Sequence, residues 1–125
     1  MEAEKFGPMY KMDAMLVLPA TGDFMAKMAN SITDNAANLA VKATLRNQSP
    51  IIIAVSTNDG LGLSGQNIMK LMNLKHVYFV PFGQDDYVKK PNSLVAHFDL
   101  VIPTIEEAIK GKQLEPLLKE YEKKN

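Results

Sequence analysis

The chain has 125 residues, with 14 lysines and arginines against 14 aspartates and glutamates, and it has no cysteine. That length fits one domain that buries about two-thirds of its unfolded surface. Balanced, interspersed charge argues against a nucleic-acid patch or an anionic-membrane binder. The lack of cysteine excludes disulfides, thiolate catalysis and cysteine metal sites. No apolar run approaches the roughly 20 residues that cross a bilayer, and no signal-peptide pattern opens the chain. The expectation is a soluble cytoplasmic protein.

Residues 1–13 mix polar and apolar types around a Gly7-Pro8 break and read as a loop or loosely attached arm. A first strand is expected over 14–18, with Pro19 ending it because proline has no N–H for a ladder. After the small turn Ala20-Thr21-Gly22-Asp23 the apolar period becomes helical, with Met25, Met28, Ala29 and Ile32 on one face. This predicts a helix over 24–32. Asp34 is placed to cap a second, alanine-rich helix over 35–46, whose Lys42 and Arg46 suit its C-terminal end.

Pro50 to Val55 is continuously apolar and rich in β-branched residues, the pattern of a strand covered on both faces. The polar turn Ser56-Thr57-Asn58-Asp59-Gly60 follows, then a helix over 64–72. A third strand is expected over 76–80, stopped by Pro81, then a long polar loop over 82–93. A short fourth strand is expected over 99–102. Thr104 to Glu107 has capping-box spacing for a last helix, with Gly111 as its stop. The tail over 113–124 is charged and reads as partly helical.

Strands alternating with helices predict a three-layer α/β/α fold around a parallel sheet. Right-handed crossovers would bring the carboxyl ends of the strands to one rim. Thr21-Gly22-Asp23, Ser56 to Asp59 and Gln84-Asp85-Asp86 would meet there. The first of these lies at a helix N-terminus, where backbone N–H groups can hold an anion. A single Gly22 is too little for a dinucleotide fingerprint. Asn58, an amide at a strand end, can hydrogen-bond a carboxylate or a ring edge, and it also suits a turn. Thr21 and Ser56 can bind phosphate or serve as caps. Lys89, Lys90, Asn92 and Ser93 can clamp an acidic ligand or stand solvated. His76 and His97 are isolated, so no metal site and no catalytic dyad is assigned.

Leu18 to Asn35, read as L-P-A-T-G-D-F-M-A-K-M-A-N-S-I-T-D-N, resembles a motif of the flavoprotein family that includes phosphopantothenoylcysteine decarboxylase and the flavin prenyltransferases. Ala54 to Asn58 resembles its second motif. Lys42 to Gln48, Ser56 to Asp59, Tyr78 to Asp86 and Lys89 to Ala96 are similar to the dipicolinate synthase B-subunit group of spore-forming bacteria. The likeness extends over nearly the whole chain. It implies a flavodoxin- or Rossmann-like fold and a partner A subunit that carries NAD(P). It also implies a role in oxidising a dihydrodipicolinate-type cyclic diacid during sporulation. By the same resemblance Thr21, Gly22, Asp23, Ser56, Thr57 and Asn58 would face flavin mononucleotide (FMN), and Asn58, Lys89, Lys90, Asn92 and Ser93 the diacid. A decarboxylase of this family would use a cysteine acid, which this chain does not have.

The chain departs from the pattern in three places. The family's first strand and its G-x-T-G-S phosphate loop have no counterpart, so the chain corresponds to the C-terminal part of such a protein. Asp23 stands where the family has asparagine, and an ionised carboxylate accepts hydrogen bonds but repels phosphate. Gly60 replaces an alanine, which would loosen the second turn. Without the family's first strand, the strand over 14–18 would present an open apolar edge. The expectation is that this edge self-associates into a homo-oligomer, is covered by residues 1–13, or takes a partner segment. A non-catalytic module without bound flavin, binding the A subunit or itself, is the alternative reading.

Overall fold

The computed structural model describes residues 2–5 and 14–122. The Gly7-Pro8 break, and the end of the tail at 123–125, lie outside the described residues. In chain order the elements are β1 (Glu2–Lys5), β2 (Met15–Ala20), α1 (Gly22–Ala29), α2 (Ala36–Arg46), β3 (Ile51–Thr57), α3 (Gly65–Met72) and β4 (Val77–Phe79). There follow β5 (Phe82–Gly83), β6 (Leu94–Ala96), a 3-10 turn (Phe98–Leu100) and α4 (Val101–Ile109).

The sheet is mixed rather than parallel. β2, β3 and β4 run parallel, with Met15, Ile51 and Val77 in register. β1 pairs antiparallel with β2, Glu2 opposite Leu18, so the outer edge of β2 is occupied by the chain's own first residues. Past the end of β4, the last residues of β3 switch to an antiparallel partner, Ser56 opposite Val95, and β5 continues the sheet beyond β6. β2 runs through Pro19, and a register shift between Val17 and Ala20 accommodates the missing N–H.

α1 packs against both α2 and α3, so the three helices form one layer on the sheet. Met15 faces this layer: the Thr44 hydroxyl of α2 lies 3.4 Å from its sulfur. α4 packs on β3 and β4, and just beyond it Gly111 approaches the Tyr78 hydroxyl, on the opposite face. The three-layer α/β/α architecture follows. All five residues from Ile51 to Val55 are fully buried, as a strand covered on both sides should be.

Several local expectations are corrected. Asn35, not Asp34, caps α2 by accepting from the Asn38 N–H at 2.8 Å. Asp34 instead pairs with Lys27 at 3.2 Å. The strand expected over 99–102 is the entry to α4. Val101, Thr104, Ile105 and Ala108 form its inward face, and Pro103 sits in the first turn, where no N–H is required. Thr104 lies inside that helix and donates to the Leu100 carbonyl at 2.7 Å, so it caps nothing. Gly111 ends α4 with φ +79°, as its left-handed stop requires. The tail to residue 122 is extended, not helical.

Candidate functional site

At the end of β2, Thr21 turns its hydroxyl inward to accept the Phe24 N–H at 3.2 Å, capping α1. Gly22 begins the helix in a crowded corner. A Cβ there would lie 2.8 Å from the Ser64 Oγ, 3.2 Å from the Thr57 Oγ1 and 3.5 Å from an Asp59 carboxylate oxygen. The first two clusters therefore meet: the N-terminus of α1 abuts the turn after β3. Thr57 donates to Asp59 at 2.7 Å. The hydrogen bonds from Thr57 and then Ser64 hold the Asp59 carboxyl below its ordinary range.

Asp23 is largely exposed and lies 3.6 Å from Lys27. Lys27 bridges Asp23 and Asp34. Its ammonium titrates above its usual value, chiefly through the hydrogen bond with Asp34. Ser56 is half-buried in the pairing with β6, and Asn58 is exposed with no hydrogen bond among the described residues.

The third cluster is joined to the second through the backbone. The Leu61 N–H donates to the Asn92 carbonyl at 2.9 Å, and the Gln84 amide donates to the Pro91 carbonyl at 3.1 Å. Gly60 is buried, and a Cβ on it would fall 2.7 Å from the Leu94 side chain. Glycine here permits close packing of turn on strand, where the sequence suggested a loosened turn. Asp86 folds the next segment on itself by accepting the Lys89 N–H at 3.0 Å, the main cause of its lowered pKa.

Beside this turn lies a cleft of about 660 Å³, walled by Leu61, Phe82, Gln84, Tyr87, Leu94 and residues 118–121. Lys89, Lys90 and Asn92 are exposed and do not line it, and Ser93 is buried under the loop. Sequence reasoning missed the tail's part in this wall. The one available signal was Tyr121, an aromatic in an otherwise charged stretch. Its hydroxyl donates to the Val95 and Ala96 carbonyls at 3.0 and 2.8 Å. Burial, aided by Asp85 and Asp99, raises its pKa.

A parallel β-core with helices on both faces and polar turns gathered at the carboxyl ends of its strands is the architecture of cofactor-handling α/β proteins. Residues 2–107 match the Flavoprotein family, and the chain belongs to it. The chain is 50% identical over 119 residues to the dipicolinate synthase B subunit of Bacillus subtilis strain 168, covering 95% of this chain and 60% of that protein. It is also similar to the crystal structure of the dipicolinate synthase B subunit from Bacillus halodurans C, with a TM-score of 0.86 and 50% identity. That match covers 92% of this chain and 59% of the other. The chain thus spans about 60% of the length of the relatives it matches.

Family membership implies a flavin, and the described residues can be tested against its phosphate. They do not fit it. The Asp59 carboxylate lies beside Gly22 at the N-terminus of α1, Asp23 follows in the same turn, and Lys27 is shared between two carboxylates. Among the described residues of this corner, a phosphate would meet two negative charges and no uncommitted cation.

Proposed function

We propose that this chain acts as the B subunit of a dipicolinate synthase, together with an A subunit that carries NAD(P), supporting the oxidation of a dihydrodipicolinate-type cyclic diacid to dipicolinate in the cytoplasm of a sporulating cell. What carries the reading is 50% identity over 119 residues to a protein of that name. The oxidation removes two hydrogens from the ring, and the nicotinamide on the A subunit is the electron acceptor. The contribution of this chain is orientation. We assign that role to Asn58, whose side chain is exposed just past the end of the central strand and has no hydrogen-bond partner among the described residues.

The experiment is reconstitution with the A subunit, following dipicolinate formation with wild-type chain and with Asn58→Ala. A loss of tenfold or more in rate on Asn58→Ala supports the site role, and an unchanged rate removes it. A second reading is favoured by Asp59 at the α1 N-terminus: a module that binds the A subunit or a second copy of itself without flavin mononucleotide. Reconstitution separates the two, since a chain that binds the A subunit or itself and leaves the rate of dipicolinate formation unchanged fits the module.

A further inference from the structure

Residues 113–121 lie beyond the matched family region, yet they are tied to three strands. At one end the Gln113 amide acts as a strand partner for β4. Its oxygen accepts the Phe79 N–H at 2.9 Å and its nitrogen donates to the Phe79 carbonyl at 2.6 Å. In the middle, the Phe82 N–H donates to the Leu117 carbonyl and the Lys119 N–H to the Phe82 carbonyl, both at 3.0 Å. Gly83 makes room for this crossing, because a Cβ on it would occupy the position of the Lys119 carbonyl.

At the other end the Tyr121 hydroxyl reaches two carbonyls of β6, and its ring stacks on His97 at 4.0 Å and 19°. His97 Nε2 lies 2.8 Å from the Lys119 carbonyl. A carbonyl only accepts, so Nε2 carries the proton and donates.

Between these anchors little apolar area is buried. Leu117 packs against the core, while Leu118 is 70% exposed and residues 119 and 120 are exposed. A segment held at the surface by hydrogen bonds, one ring stack and one core side chain buries less apolar area than the sheet beneath it and opens at lower free energy. The same segment supplies Leu118 and Tyr121 to the cleft, opposite Phe82, Tyr87 and Leu94. About 660 Å³ lined by these rings and leucines is the size and chemistry of a small-molecule site.

We propose that residues 113–121 are a movable strap that opens as one unit, with Gln113 and Tyr121 as its latches, and that the strap completes a cleft for a flat aromatic group. An aromatic ligand in the cleft holds the strap closed.

Amide hydrogen exchange on the full chain tests this. The Phe79, Phe82 and Lys119 amides report the strap, and the Val80 amide, which donates to the Ile53 carbonyl at 2.9 Å, reports the core. The three strap amides should exchange at one common rate, tenfold or more faster than Val80. Gln113→Leu should speed all three together by at least fivefold and leave Val80 unchanged. Tyr121→Phe, at the opposite latch, should do the same and serves if the first variant does not fold. Strap amides as slow as Val80, or a variant that speeds only its nearest amide, would overturn the single unit. Naphthalene-2-sulfonate, a flat aromatic probe, should bind once per chain and slow the three strap amides by tenfold or more. No binding, or binding without that protection, would overturn the assignment of the cleft.

Discussion

Thr57 donates its hydroxyl to Asp59 across 2.7 Å, at the point where the central strand becomes the loop that faces α1. This pair sets the electrostatic character of the corner. The carboxyl is held below its ordinary range by Thr57 and then Ser64. Its charged form therefore contributes stability above the unfolded carboxyl value of about 4, and that contribution is lost as pH falls through the lower folded value. Thermal melts of wild type and Asp59→Asn should differ most above about pH 5 and converge in stronger acid. A difference that stays constant with pH would contradict the role given to the pair.

Asn35 holds the start of α2 through its side chain, accepting the Asn38 N–H at 2.8 Å. Asn35→Ala removes that cap and should cost about 1 kcal/mol. Urea unfolding should show a lower midpoint with an unchanged slope. Asp34→Ala, at the position the sequence favoured as the cap, should cost less, because an exposed ion pair with Lys27 contributes little.

Asn38 is 2% exposed, and neither atom of its side-chain amide finds a protein partner among the described residues. Burying such a group is unfavourable, and an apolar side chain of similar volume removes the penalty. Asn38→Leu should stabilise the fold by about 1 kcal/mol, raising the urea midpoint. A lower midpoint would show that the amide is held by interactions the protein atoms do not reveal.

The central strand was legible because Ile51 to Val55 carry their environment in their side chains. α1 was legible in its apolar period and α2 in its alanine content. α4 was misread at its start because Val101 and Ile102 are β-branched and precede a proline, the local signature of a strand end. Tertiary packing of Val101, Thr104, Ile105 and Ala108 decided otherwise. β5 and β6 were hidden in and beside the expected loop, since elements of two and three residues show no alternation to read. Of the candidate site, the approach of Thr21-Gly22 to Thr57-Asp59 followed from strand direction alone. That the Asp59 carboxylate comes to lie beside Gly22 did not, because it depends on how a turn folds back. The tail was read as partly helical because its extended form is imposed from outside, by the Phe79 backbone on Gln113 and the β6 carbonyls on Tyr121.

The most direct measurement is dipicolinate production by the purified A subunit, with and without this chain, at saturating nicotinamide cofactor. The account predicts that adding the chain raises the rate at least tenfold and that the two proteins co-elute as one complex. An A subunit that makes dipicolinate equally well alone, and elutes apart from this chain, would contradict it.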